Sequence, residues 1–170
     1  MIEAAADSRE NTKGSDEGEI AQSDPETYAP LVASYAVGVG TFLLYRRTTG
    51  RGLPERISMG DLALGAVASH KASRIIGKDK VTAFMRRPFA TYDESGTPGE
   101  VEDSPRGHGV RRAIGELVVC PYCLDQWTAT ACVVGLITAP RLTRFLASTL
   151  AMVTASDFLQ LAYQAAQNRA

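Results

Sequence analysis

Three stretches of this chain are long, apolar and almost free of charge, and this segregation limits the folds that it can adopt. Residues 30–45 contain no charged side chain, and residues 145–163 contain only Asp157. The third stretch, 117–139, is mostly apolar but is interrupted near its start. Runs of roughly 17–25 apolar residues are long enough to cross a bilayer as helices. The pattern therefore predicts an all-α integral membrane protein.

These stretches and the segment between them predict three or four helices, near residues 29–46, 57–78, 115–139 and 142–166. Because a turn of only a few residues at Pro140 joins the last two, we expect them to form an antiparallel transmembrane hairpin. Small residues also repeat every four positions, a spacing that lets helix backbones approach closely in a membrane. They are Ser34 and Gly38, Ala131 and Gly135, and Ala147, Ala151 and Ala155.

The helix at 57–78 differs from the others because its second half is strongly basic. Lys71, Arg74 and Lys78 fall on one helical face, and His70 belongs to the same polar half. Two interpretations stay open. The helix either crosses the bilayer or lies in the headgroup region with its basic face toward anionic lipid. We favour the second, because basic clusters flank the helix on both sides.

Charge divides the chain into an acidic arm and a basic body. Residues 1–27 hold eight acids and two bases, whereas the remainder holds eleven acids and sixteen bases. Since the arm has almost no large apolar side chains, we expect it to be disordered. A helical membrane domain follows at 28–170. Within it, residues 90–112 are rich in glycine, proline and acids and predict a flexible loop.

Basic loops set the predicted orientation. Arginine and lysine cluster in loops 46–56 and 77–112, and an excess of these residues marks cytoplasmic loops. We therefore expect both loops inside and the acidic arm outside. The sequence then predicts three spans, with the helix at 57–78 on the inner surface, in a multi-pass protein of the cell membrane.

Cys120-Pro121-Tyr122-Cys123 is the motif that most clearly offers reactive side chains. Two thiols at this spacing, placed where a helix begins, favour a thiolate and can close a small disulfide ring. The tetrapeptide resembles a glutaredoxin active site, but two apolar helices follow it instead of the remainder of that fold. A glutaredoxin fold is therefore excluded. A membrane thiol–disulfide oxidoreductase stays open, with Cys120 attacking and Cys123 resolving.

Other interpretations of the polar residues also stay open. Cys120, Cys123 and His108 supply at most three zinc ligands, and no second cysteine pair exists. The cysteines are alternatively small apolar side chains at a helix start. Asp157 either serves a transport pathway or pairs with a base. No phosphate-binding loop or nucleophile motif occurs, so we expect no cofactor and no nucleic-acid partner.

Two longer blocks of sequence form a wider pattern. The first runs from Asp61-Leu62-Ala63-Leu64 through Ser73-Arg74-Ile75-Ile76 to Asp79-Lys80-Val81 and Arg86-Arg87-Pro88-Phe89. The second is Glu116-Leu117-Val118-Val119-Cys120-Pro121-Tyr122-Cys123-Leu124, followed by Trp127. Together they resemble a bacterial family of small integral membrane proteins of unknown function, which includes a sporulation-associated Bacillus membrane protein. The motif residues are Arg74, Asp79, Arg87, Pro88, Phe89, Glu116, Cys120, Pro121, Cys123 and Trp127.

The resemblance covers roughly residues 59–165 and implies a helical membrane protein in which the cysteine pair is a family feature. It implies no activity. The acidic arm, the extra apolar helix and a longer 90–110 loop depart from the family pattern. The leading expectation is therefore a membrane scaffold or interaction module. Its partners would be the bilayer and an acidic protein or a second copy of the chain.

Overall fold

Most of the described chain is helical. The computed structural model describes residues 25–95 and 99–169, so the predicted disordered arm lies almost wholly outside the described residues. A 3₁₀ turn at Pro25–Tyr28 is followed by α1 (Ala29–Thr48), α2 (Met59–Gly77), α3 (Ala83–Arg86), β1 (Ala90–Ser95), β2 (Val101–Pro105), α4 (Val110–Val119), α5 (Pro121–Thr138) and α6 (Pro140–Gln167).

Helix starts coincide with residues that suit a first turn. Pro30, Pro121 and Pro140 lie in the first turns of α1, α5 and α6, where a missing N–H removes no helical hydrogen bond. Ser58 precedes α2, and its hydroxyl accepts a hydrogen bond from the backbone N–H of Asp61 at 3.1 Å. These features lie in the local sequence, and the predicted helix boundaries agree with the structure within a few residues at most ends.

The four long helices alternate in direction. The α1 helix runs parallel to α5, because Tyr35 Oη lies 2.8 Å from Thr130 Oγ1 and Tyr28 contacts Glu116. The α5 and α6 helices form the antiparallel hairpin that the short turn predicted. The two ends of the bundle are called the arginine end, where α1 and α5 finish, and the strand end, where β1 and β2 lie.

The α2 helix lies at the centre of the bundle. From the sequence we had favoured a position for this helix at the membrane surface. It runs antiparallel to α5, with Ser69 Oγ 2.7 Å from Thr128 Oγ1, and it also packs along α6. Small side chains at Gly65, Ser69, Ser73 and Gly77 recur every four residues along α2. The last three are buried. This stripe, rather than Ser34 and Gly38, allows the close approach, since nothing lies within 4 Å of a Cβ built at Gly38.

The predicted single helix at 115–139 is two helices. The axes of α4 and α5 meet at 82°, and Cys120 between them is extended, with φ −102° and ψ 103°. Pro121 is the physical cause. A proline disfavours the helical conformation at the residue before it and donates no N–H to the preceding turn.

The structure also corrects the prediction that the protein is all-α. The segment predicted as a flexible loop at 90–112 contains the antiparallel pair β1 and β2, with Ala90 opposite Pro105 and Thr91 opposite Ser104. Gly99, in the connecting turn, has φ +93°, a value that glycine adopts without a steric penalty. The polar composition concealed these strands, because only Ala90 and Val101 in them are buried hydrophobic residues.

A close backbone contact holds β2 against α4. A Cβ built at Gly115 would lie 2.5 Å from the carbonyl oxygen of Phe89 and 3.2 Å from Pro105 Cβ. We therefore expect Gly115→Ala to destabilise the folded protein by roughly 1–3 kcal/mol, because backbone must move to admit the methyl group. Thermal unfolding of the detergent-solubilised protein measures the change.

Gly38→Ala is the matched control, since a Cβ there meets open space. This substitution is expected to stabilise α1 by roughly 0.5–1 kcal/mol through the lower backbone entropy of alanine. Equal melting temperatures for the two variants would contradict the packing of α4 on the strand pair.

Two helices are long and apolar enough to cross a membrane, counting only the described residues. They are Glu26–Thr48 and Pro140–Gln167, and the bent pair Val110–Val119 and Pro121–Thr138 gives a third if it counts as one span. Large apolar side chains stay exposed on the first and last of these, for example Val32 and Leu159 at 66% and 70%. Membrane association follows from their length and composition.

Candidate dithiol site

The break between α4 and α5 brings the two thiols of the Cys-Pro-Tyr-Cys segment together. Cys120 is the N-cap of α5, and its sulfur accepts a hydrogen bond from the backbone N–H of Cys123 at 3.3 Å. The Cys123 thiol donates to the same sulfur at 2.8 Å. Negative charge is favoured at a helix N-terminus, so Cys120 occupies the position that best suits a thiolate.

Both cysteines line a cavity of about 630 Å³. Its other walls come from α1, α4 and the first half of α5, and they are mainly aliphatic and aromatic, including Leu31, Val32 and Leu117. A volume of this size lies within the range of roughly 300–1,000 Å³ that small-molecule sites occupy. The thiols therefore open into an apolar space.

An ionisable side chain lies in the same wall. Glu116 Oε1 accepts a hydrogen bond from Arg112 Nε at 3.0 Å, and its Oε2 accepts one from the Tyr28 hydroxyl. The 3₁₀ turn before α1 thus contacts the helix that precedes Cys120. These bonds hold the carboxylate in the same cavity wall as the cysteine pair.

Trp127 and Tyr35 form the aromatic part of the cavity. Their ring centroids are 5.2 Å apart and their planes meet at 77°, an edge-to-face arrangement. Gln126 Nε2 donates to Tyr35 Oη at 2.6 Å. The indole lines the cavity.

The basic side chains of α2, which the sequence interpretation turned toward anionic lipid, are all paired with carboxylates of the chain. Lys71 Nζ lies 2.8 Å from Asp157 Oδ2 of α6. Arg74 forms a bidentate pair with Glu100, and Lys78 Nζ lies 2.6 Å from Glu102 Oε2. Each base is paired with a carboxylate that is distant in sequence. This face of α2 therefore stabilises the bundle and the strand pair.

The remaining candidate residues take structural positions. Asp157 pairs with Lys71, the pairing that the sequence offered as an alternative to transport. His70 and His108 are exposed. No group of three His, Cys, Asp or Glu side chains in the described ranges could hold a metal ion, so His108 does not join the two cysteines.

Comparison with known proteins places the chain in a family. Residues 64–163 match the family described as "Protein of unknown function (DUF1360)". The chain belongs to this family. The match spans more than half of the chain and contains all ten motif residues that the sequence pattern singled out. No curated protein sequence and no solved structure matches the chain.

The two blocks of the family pattern meet in the structure. Arg111 donates two hydrogen bonds to the carbonyl oxygen of Pro88, at 3.0 and 2.6 Å. The carbonyl oxygen of the next residue, Phe89, lies 2.5 Å from a Cβ built at Gly115. Asp79 forms an isolated bridge with Glu100, whereas Arg87 is exposed. The first block thus positions α4, and α4 leads directly to Cys120.

Sequence reasoning overlooked two groups of residues that shape this region. The first is the buried ion pair of Arg86 and Asp103, whose side chains are 2% and 6% exposed. The second is the α1 wall of the cavity, Tyr28, Leu31, Val32 and Tyr35, which precedes the family match. Nothing in the sequence indicated that Arg86, rather than the neighbouring motif residue Arg87, is buried. The apolar composition of α1 indicated only a membrane-spanning helix.

Proposed function

We propose that this protein is a multi-pass membrane thiol–disulfide oxidoreductase that uses Cys120 and Cys123. One observation carries the proposal: the two thiols are in contact at the N-terminus of α5 and line an apolar cavity. If the cysteines served only as small apolar side chains at a helix start, neither the cavity nor the contact between two thiols would be required. The chemistry is ordinary thiol–disulfide exchange, which a thiolate begins.

The reaction follows from the position of each sulfur. The Cys120 thiolate attacks one sulfur of a substrate disulfide, that S–S bond breaks, and the leaving thiolate takes a proton. Cys123 loses its proton and attacks Cys120, which releases the second substrate thiol and leaves a Cys120–Cys123 disulfide. The reverse sequence oxidises a substrate dithiol. Glu116, in the same cavity wall, is the proposed proton acceptor for these steps.

The charge of the two ends supports an orientation that keeps loop 46–56 inside, as expected from the sequence, but moves loop 77–112 to the outer side. The arginine end carries six arginines and two acids over residues 46–61 and 139–144. The strand end holds seven bases and seven acids over residues 78–116. We place the arginine end in the bacterial cytoplasm. The cysteines then lie at the outer, more oxidising face, where disulfide chemistry is favoured.

Exchange assays on the purified protein test the function. The oxidised protein is mixed with a reduced dithiol peptide, and disulfide formation in the peptide is followed. Cys120→Ser is expected to lower the rate to that of the uncatalysed reaction, because it cannot form the Cys120–Cys123 disulfide that the peptide thiolate attacks. Cys123→Ser is expected to accumulate a mixed disulfide when it is incubated with an oxidised peptide, because nothing resolves the Cys120 adduct.

Cys132→Ser is the matched control, since this half-buried cysteine of α5 lies outside the cavity wall. It should exchange at the unaltered rate. If the protein without Cys120 and Cys123 keeps its assembly and its cellular role, the oxidoreductase proposal is wrong. The scaffold function is then favoured, and the exposed apolar side chains of α1 and α6 support it as an interaction surface.

A further inference from the structure

The cavity beside the cysteine pair has the properties of a site for a lipid-soluble electron acceptor. We propose that it binds a quinone, which re-oxidises the Cys120–Cys123 dithiol. The inference rests on the proposed exchange activity, since a dithiol that oxidises substrates has to be returned to its disulfide form. A quinone is the class of oxidant that fits the position and lining of this cavity.

Position is the first argument. The cavity lies between α1, one of the two long candidate spans, and the bent pair α4 and α5. An opening between such helices faces the hydrocarbon layer, where lipid-soluble molecules are concentrated. A water-soluble disulfide such as glutathione disulfide can reach the exposed Cys123 from water, but it would lose its hydration on entering the apolar part of the cavity.

The lining is the second argument. Tyr35 and Trp127 offer aromatic faces and edges for a flat ring, and Leu31, Val32 and Leu117 surround it with aliphatic surface. The polar groups in the wall are few: the two thiols, the hydroxyls of Tyr28 and Tyr35, the indole N–H of Trp127, the Gln126 amide and the Glu116 carboxylate. A quinone needs this combination of an apolar slot and one or two hydrogen-bond donors for its carbonyl oxygens.

The electron balance is complete with this acceptor. Both S–H bonds break and one S–S bond forms between Cys120 and Cys123. The two electrons and two protons that the thiols lose reduce the quinone to a hydroquinone. Glu116 can relay one of the protons, because Arg112 and Tyr28 hold its carboxylate in the cavity wall.

Trp127 makes the binding step measurable, since it is the only tryptophan of the chain. The reduced full-length protein in nanodiscs is titrated with a benzoquinone that carries a decyl tail. We expect saturable quenching of Trp127 fluorescence, and the loss of two thiols for each hydroquinone formed. In Cys120→Ser the quenching should remain while hydroquinone formation stops.

Two valines of α1 provide a matched pair of variants. Val32 lines the cavity and Val37 does not, yet both are 66% exposed. Val32→Phe fills part of the cavity and is expected to weaken quinone binding by at least about tenfold, a loss equivalent to 1.4 kcal/mol. Val37→Phe should bind the quinone as the unaltered protein does.

The outcomes separate the two proposals. Exchange with peptides but no saturable quenching overturns the quinone site and leaves the oxidoreductase function standing. Saturable quenching without thiol loss overturns the electron transfer from the dithiol. Equal binding by the two phenylalanine variants overturns the placement of the quinone in this cavity. Absence of both peptide exchange and thiol loss overturns the oxidoreductase function together with the inference.

Discussion

Replacing Arg86 by methionine is expected to destabilise the strand end by about 3–5 kcal/mol. The Arg86 side chain is 2% exposed, and its guanidinium donates to Asp103 Oδ2 at 2.8 Å and to the carbonyl of Ile76 at 2.7 Å. It also donates to Thr82 Oγ1 and to the carbonyl of Asp79. The substitution leaves Asp103 as an uncompensated charge that is only 6% exposed. Amide hydrogen exchange in β1 and β2 measures the effect directly.

Two variants control this result. Arg87→Met removes the neighbouring exposed arginine and should change stability by less than about 0.5 kcal/mol. Combining Arg86→Met with Asp103→Leu removes both charges and should recover most of the lost protection, because no unpaired charge then stays buried. If the amides of β1 and β2 exchange at the same rate in Arg86→Met and in Arg87→Met, the ion pair does not stabilise this end of the bundle.

Thiols placed at the two ends of the bundle are expected to label on opposite sides of the membrane. A membrane-impermeant maleimide is applied to intact cells after reduction, in a background that carries Cys132→Ser. Cys123, which is exposed at the strand end, should react in intact cells. A thiol introduced by Thr49→Cys at the arginine end, in a chain without the other cysteines, should react only after the cells are opened.

This comparison decides between the bundle and the topology expected from the sequence. Three spans with α2 on the inner surface would place positions 49 and 123 on the same side. Four alternating helices place them on opposite sides, whichever side is outside. Labelling of Cys123 only after reduction would also show that the pair is oxidised at that face. Labelling of both thiols on one side would contradict the passage of α2 through the membrane.

Local chemistry made several features predictable. The charge-free run at 30–45 predicted α1, because an apolar segment of that length leaves few alternatives to a long helix. The turn at Pro140 predicted the hairpin of α5 and α6 in the same way. The Cys-Pro-Tyr-Cys segment was recognisable as a candidate dithiol from its composition alone, but the N-cap position of Cys120 was not, because one helix was predicted to run through it.

Features that depend on partners distant in sequence were not predictable. Lys71, Arg74 and Lys78 formed a basic stripe in the sequence. Their carboxylates come from α6, from β2 and from the turn before β2, so this basic face is paired within the chain. Likewise, β1 and β2 carry almost no apolar alternation. Their pairing depends on backbone hydrogen bonds and on the buried ion pair of Arg86 and Asp103.

The sequence by itself determined where the long helices lie, that the two cysteines are near a helix start, and the family to which the chain belongs. Each of these depends on residues that are neighbours along the chain. Only the tertiary structure decided that α2 lies inside the bundle, and that Tyr28, Tyr35 and Trp127 line one cavity together with the cysteines. Both depend on how α1, α2 and α5 pack together, and this packing brings residues about 90 positions apart into contact.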